Sequence, residues 1–193
     1  MDEDRRIRPA RRDESGDIAR LFLVSSDGLA AYIWSRLDMP GPSLGKVGAA
    51  RYTREDTAFS YQNCLVALED DAVVGMLHAF PMHVDPAGPA EADPVLRPYA
   101  ELEADGSLYV SGLAVEAPHR GRGIGGALMA EGEALARRHG LTRVSLICFE
   151  RNEGAMRFYA RLGYQEQARR PIVPHPTLHY AGGDAVLLVK GEV

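Results

Sequence analysis

The segment Arg120-Gly-Arg-Gly-Ile-Gly-Gly is the part of this sequence whose residue types best suit chemistry. Gly121, Gly123, Gly125 and Gly126 enter a run with helical apolar spacing, after a strand-like segment ending at Val115 and a link containing Pro118. The start of a helix carries N–H groups with no intrahelical acceptor, aligned with the positive end of the dipole. Glycines let a bulky anion approach those N–H groups with no Cβ in the way. Arg120 and Arg122 add positive charge on the rim. The combination suits a phosphate.

Gly121-x-Gly123-x-x-Gly126 also matches the dinucleotide fingerprint, and Glu150 ends the next strand-like run 24 residues after Gly126. Three features weigh against a nicotinamide site. The fingerprint glycine normally follows its strand at once, whereas five residues separate Val115 from Gly121. Only 67 residues follow Gly126, few for the remainder of a doubly wound sheet. Antiparallel hairpin patterns precede the motif. A nicotinamide-binding protein is the lesser alternative, beside a glycine-rich turn that holds nothing.

The elements that must position this turn follow from periodicity. Ile7–Ala10 reads as a strand, and Asp13 can cap a helix with Ile18, Leu21 and Phe22 on its apolar face. Asp27–Leu37 is a second helical pattern, with Leu29, Ile33 and Leu37 at spacing four, broken by Met39-Pro-Gly-Pro. Ser43 to Thr57 is a weaker helix, and Cys64–Glu69 and Ala72–Pro81 are strands joined by a tight Asp70-Asp71 turn. Ser107–Val115 is apolar on both faces, as a central strand should be. Then come a helix over 123–139 closed by Gly140, a strand over 143–149 and a helix over 152–162 closed by Gly163. Strands over 164–169 and 185–190 flank a Pro/His segment. The order is mixed α/β: hairpins first, βαβα afterwards.

The chain has 193 residues, 46% of them hydrophobic and 25% charged, which suits one soluble globular domain and excludes a fibrous or disordered chain. Its 22 basic residues, of which only Lys46 and Lys190 are lysines, face 27 acids, so there is no broad footprint for nucleic acid. Neither a secretory h-region nor an apolar run of about 18 residues is visible, so a cytoplasmic protein without a membrane partner is expected. Cys64 and Cys148 lie in apolar strand-like runs and read as buried thiols. No clustered metal ligands are present: His175 and His179 are four apart, but Pro174 and Pro176 forbid the helix that would pair them.

Residues Arg120-Gly-Arg-Gly-Ile-Gly resemble the Q/R-x-x-G-x-G/A pyrophosphate loop of the GNAT superfamily of acyl-CoA-dependent N-acyltransferases. Downstream, Asn152-Glu-Gly-Ala-Met-Arg-Phe-Tyr-Ala-Arg-Leu-Gly-Tyr is similar to that family's N-x-x-A-x-x-F-Y-x-x-x-G-F/Y motif. The motifs span 107–167, and the element order resembles the family's over most of the rest. The resemblance implies a single domain over 1–193, with a mixed seven-stranded sheet flanked by roughly four helices. It implies acetyl-CoA as co-substrate, no metal, and direct transfer to a primary amine of a small molecule or peptide. Family members often form homodimers.

Carried onto this chain, the resemblance puts the coenzyme A diphosphate on Arg120, Gly121, Arg122, Gly123, Ile124, Gly125 and Gly126. The backbone of Leu113, Ala114 and Val115 would pair with the pantetheine arm, and Gly112 would fit a bulge there. Asn152 would contact the arm or the diphosphate, cap its helix, or both, with Ala155 beside it. Tyr159 is the implied catalytic residue, a phenol that protonates the departing thiolate. A backbone N–H near 113–115 would meet the oxyanion. Where some members carry a catalytic glutamate, eleven residues before the loop, this chain has Tyr109. His78, Tyr109, Glu116 and the acids of residues 81–106 are the candidates left for the base, and a non-catalytic acyl-CoA-binding regulatory module is the alternative this departure leaves open.

Residues 81–106 hold five of the twelve prolines and six acids against Arg97 alone. Pro94 to Glu103 can form a short helix within them. Such a lip would draw cationic amines toward an acceptor entrance, or it is simply a solvated loop. Remaining features take bland readings: His119 and His139 at exposed turns, Arg5, Arg6, Arg8, Arg11 and Arg12 as a solvated end, Tyr32 and Trp34 as packing, and Phe158 as a core anchor.

Overall fold

The structure is a computed structural model and describes residues 6–39 and 43–193. The elements are β1 (Arg6–Pro9), α1 (Ser15–Ser25), α2 (Leu29–Trp34), α3 (Leu44–Tyr52), β2 (Cys64–Glu69), β3 (Ala72–Met82), α4 (Arg97–Ala100) and β4 (Ser107–Val115). They continue with α5 (Ile124–Arg138), β5 (Arg143–Phe149), α6 (Glu153–Arg161), β6 (Gln165–Pro171) and β7 (Asp184–Gly191). The strands form a mixed seven-stranded sheet of order β1-β2-β3-β4-β5-β7-β6, the fold class the sequence implies. Six α-helices are described against the four expected, because the short α2 and α4 are helices in their own right. By compactness the chain divides into two units, Met1–Ala79 with Gly112–Glu131, and Phe80–Ser111 with Gly132–Val193.

In the first unit, α1 buries Ile18, Leu21 and Phe22 as its spacing predicts, each worth about 1.5–3 kcal/mol when removed from water. Their core includes Trp34, Tyr52, Val66, Met76 and Ala114. Trp34 stacks on Phe22 (5.9 Å), and a Cβ at Gly48 would lie 2.2 Å from its ring, so α3 reaches the indole only because residue 48 has no side chain. A Cβ at Gly112 would lie 2.8 Å from Phe22; packing under α1 therefore accounts for that glycine. Asp70 and Asp71 both have positive φ (48° and 60°), as a two-residue hairpin turn requires.

Three local expectations are corrected here. The second helix covers only Leu29–Trp34, because Asp27 and Gly28 take left-handed φ (47° and 94°). It buries Ala30, Tyr32 and Trp34, while Leu29, Ile33 and Leu37 stay half-buried. Its expected breaker, Pro40 to Pro42, lies outside the described residues. Asp13 caps no helix: a 3-10 turn (Arg12–Glu14) precedes α1, and the Glu14 carboxylate accepts from the Arg11 N–H (2.7 Å). Glu14 also pairs with Arg8 (2.6 Å), whose side chain is largely buried, so Arg8 does not belong to a solvated basic end. Arg5 lies outside the described residues.

His78 is fully buried against Phe22, Tyr52 and Phe59, and its Nε2 lies 2.9 Å from the Ala58 carbonyl. Burial pushes its pKa down to about 4, so the folded ring stays neutral while the unfolded one titrates near 6.5. As pH falls the unfolded state takes up the proton first. The stability this residue contributes is complete above about pH 6.5 and lost toward pH 4, a span of about 3 kcal/mol. Urea titrations across that window should show the loss in the parent chain and a shallower one in His78→Gln.

In the second unit, β4 and β5 pair in parallel through Leu108↔Val144, Tyr109↔Ser145 and Val110↔Leu146. The buried hydroxyls of Ser107 and Ser145 meet at 2.6 Å at the foot of that ladder. β7 runs antiparallel to both β5 and β6. The 81–106 segment is closed at its base by Gly106 N–H to Met82 O (3.0 Å) and Val84 N–H to Asp105 Oδ1 (2.9 Å). Its helix, α4, is shorter than the expected 94–103. Cys64 and Cys148 are buried, at 2% and 6% exposure, and form no disulfide. Among the described residues no helix is long and apolar enough to cross a membrane.

Candidate functional site

The glycine-rich turn belongs to the first unit. From Val115 the chain passes through a 3-10 turn (Ala117–His119) into α5, whose first residue, Ile124, is buried. Gly75 on β3 admits that helix start: a Cβ there would meet Leu128, Ala114 O and Ile124 at 3.2–3.3 Å. Gly121 and Gly123 have φ of +74° and +83°, a backbone that side chains rarely adopt. The N–H of Ala127 bonds Gly123 O (3.0 Å), so the N–H groups of Ile124, Gly125 and Gly126 lie ahead of it in the first turn. Gly126 has no positive φ, and a Cβ there would meet nothing within 4 Å. Helical glycine costs about 1 kcal/mol against alanine, and neither backbone nor packing within the described residues requires it at 126.

Both rim arginines are engaged locally. Arg120 donates from Nε to Val115 O (2.8 Å), tying the loop to the end of β4. Arg122 donates from both terminal nitrogens to the Glu69 carboxylate, and His119 Nδ1 lies 2.5 Å from Glu69 Oε2. Arg122, followed by His119, holds the Glu69 carboxyl below the usual carboxylate range. His119 is therefore half-buried and paired, not an exposed turn residue. Glu69 is the residue that reading the sequence missed. The acid ends a strand some fifty residues upstream of the loop, with no motif to mark it. Leu113 and Val115 are half-buried and Ala114 is buried, and none of the three lies in the parallel ladder, which ends at Val110.

The second unit holds the other motif. Asn152 is the N-cap of α6, its Oδ1 accepting from the Ala155 N–H (3.1 Å). Tyr159 is buried (9% exposed), with Phe158 at 5.2 Å and Tyr164 at 5.9 Å between ring centroids. The anchoring role expected of Phe158 is reversed: Phe158 is half-buried and Tyr159 faces inward. Behind it, Tyr164 donates to Glu133 (3.3 Å), which also accepts from Lys190 (2.8 Å). Burial first, then Glu133, pushes the Tyr164 phenol far up, keeping it a neutral donor.

The candidate bases fare differently. His78 is core. Glu116 accepts from Arg20. Glu101 pairs with Arg170 (2.8 Å). Burial pushes the Tyr109 phenol up, with Glu103 and Tyr99 adding to it. Glu103 alone among the loop acids is held above the usual range, by burial and by Glu91. His175 Nδ1 lies 2.9 Å from Thr177 Oγ1.

Comparison with known proteins adds the class. The sequence model of the acetyltransferase (GNAT) family matches residues 30–164. The chain belongs to the GNAT acetyltransferase family, and is an acyltransferase by that membership. Its fold is similar to that of an N-acetyltransferase from Staphylococcus aureus Mu50, at 19% identity over 96% of this chain and 100% of that one (TM-score 0.62). It is likewise similar to yncA from Salmonella typhimurium, solved with its cofactor acetyl-CoA, at 16% identity over 98% and 95% (TM-score 0.65). An agmatine N-acetyltransferase shares 20% identity over 97% and 99% (TM-score 0.62). No curated protein matches in sequence.

Proposed function

We propose that the whole chain, 1–193, works as one acetyltransferase domain that moves the acetyl group of acetyl-CoA to a primary amine. The observation that carries this reading is the loop before α5: positive φ at Gly121 and Gly123, and a glycine at 126 that nothing inside the described residues demands. The fit to a diphosphate is good, because three first-turn N–H groups and the helix dipole converge where no Cβ intrudes. Loop residues 120–126 bind the diphosphate, and Asn152 and Ala155 contact the pantetheine side. The main chain of Leu113–Val115, outside the parallel ladder, pairs with the arm and offers an N–H to the oxyanion.

In the transfer, the neutral amine nitrogen bonds to the thioester carbonyl carbon and the carbon–sulfur bond breaks. Tyr159 gives its proton to the leaving sulfur, and the proton shed by the nitrogen passes to water. No covalent acyl-enzyme is required. The testing experiment is a panel of primary amines with acetyl-CoA, read by free thiol, beside calorimetry with coenzyme A. Binding with turnover supports the reading. Binding without turnover on any amine points to a regulatory module, and no binding removes the reading altogether.

Glu69 sets a second expectation. As the acceptor that fixes Arg122 and His119, it is a positioning residue for the loop. Glu69→Ala should raise KM for acetyl-CoA about three- to tenfold with kcat nearly unchanged, and Glu69→Gln, which keeps an acceptor oxygen, should fall between. Initial-rate kinetics at saturating amine separate the two parameters.

A further inference from the structure

We infer that an aromatic and acidic surface of the second unit binds a cationic group, and that the acceptor is accordingly an amine carrying a second positive charge. This rests on the acetyl-transfer reading above and names its substrate class. The surface draws on five rings from different elements. Phe80 on β3 and Tyr109 on β4 meet edge to face at 5.7 Å. Tyr99 on α4 lies 5.9 Å from Phe149 at the end of β5, and Phe149 lies 5.4 Å from Tyr180, in the segment before β7. Tyr99 is also an electrostatic neighbour of Tyr109, which joins the two groups. Only Phe149 is buried; Phe80, Tyr99, Tyr109 and Tyr180 are each half-buried. Rings in the first unit's core, such as Trp34 and Tyr52, are by contrast fully covered.

The charge beside these rings is negative and uncompensated. Glu103 is the electrostatic neighbour of Tyr109, and Glu91 is the neighbour of Glu103. Among the described residues no ion pair reaches Glu103, whereas Glu101 two residues earlier has Arg170. Nor does any described residue hydrogen-bond the Tyr109 hydroxyl. Carboxylates that raise one another next to aromatic rings are best relieved by a cation, and the faces of the rings attract the same group. A guanidinium or alkylammonium satisfies both. An anion or an uncharged hydroxyl satisfies neither. Arg97, the one base of the 81–106 segment, donates instead to the Glu91 carbonyl (3.1 Å). Tyr109 therefore belongs to substrate selection, which gives a use to the tyrosine standing where other members carry glutamate.

The test compares 1,4-diaminobutane with butylamine, 4-aminobutanol and 4-aminobutyrate, by thiol release in the parent chain, Glu103→Gln and Tyr99→Leu. Calorimetry of 1,4-diaminobutane on the coenzyme A-loaded protein runs in parallel. A kcat/KM at least about tenfold higher for the diamine than for butylamine is expected. Either substitution should shrink this preference to within about threefold while kcat/KM for butylamine stays put. Turnover of amines with no diamine preference, or a preference both variants retain, overturns the inference and leaves the acetyl-transfer reading standing. Diamine binding that Glu103→Gln abolishes, with no thiol released from any amine, upholds the cation site and overturns the transfer reading.

Discussion

Replacing Tyr159 with phenylalanine is expected to lower kcat by about a hundredfold, the low end of what a positioned proton donor contributes. KM for acetyl-CoA should hold within about twofold, because a group that acts only as the carbon–sulfur bond breaks adds little to ground-state binding. The substitution keeps the ring that packs against Phe158 and Tyr164, so thermal stability is a fair control for folding. A pH profile separates chemistry from packing. In the parent chain kcat should fall on the alkaline side as the phenol loses its proton, and the variant should lack that limb. Equal kcat for the two chains across the whole range would falsify the donor role.

The second large effect is expected at Gly126. Leucine there should leave stability unchanged or raise it by up to about 0.7 kcal/mol, since glycine is the poorer helix former, and the space beyond its Cα is open. The same side chain would stand in front of the first-turn N–H groups. Losing one or two hydrogen bonds to a charged diphosphate costs about 1.5–3 kcal/mol, so KM for acetyl-CoA should rise roughly ten- to hundredfold. Acetyl-pantetheine, which has no diphosphate, serves as the control substrate: its kcat/KM should be nearly equal for the two chains. A stabilised protein with weakened acetyl-CoA use would show that the glycine serves the ligand and not the fold. Unchanged KM would remove the loop from cofactor binding.

Legibility in the sequence followed the range of the interactions involved. Strand limits at Cys64–Glu69, Ser107–Val115 and Arg143–Phe149 came directly from apolar patterning, because burial within a sheet writes itself into consecutive residues. The Asp70-Asp71 turn and the Asn152 cap were local too, each settled by backbone within a few residues. The second helix was misjudged because spacing alone does not show that Asp27 and Gly28 turn left-handed, or that Trp34 is drawn in by Phe22. Side-chain partners across long separations were not readable at all. Nothing near Arg122 announces Glu69, and nothing near Tyr109 announces Tyr99 or Glu103. Phe158 and Tyr159 were adjacent aromatics whose inward and outward roles only the packing of α6 could decide.

The covered cysteines have a practical corollary. With Cys64 and Cys148 at 2% and 6% exposure, and the Cys64 thiol pushed well up by burial, a chromogenic disulfide reagent finds little to attack on the folded catalyst. Colour in a continuous assay then reports released coenzyme alone, and a slow rise in the blank without amine becomes a gauge of unfolding during the run.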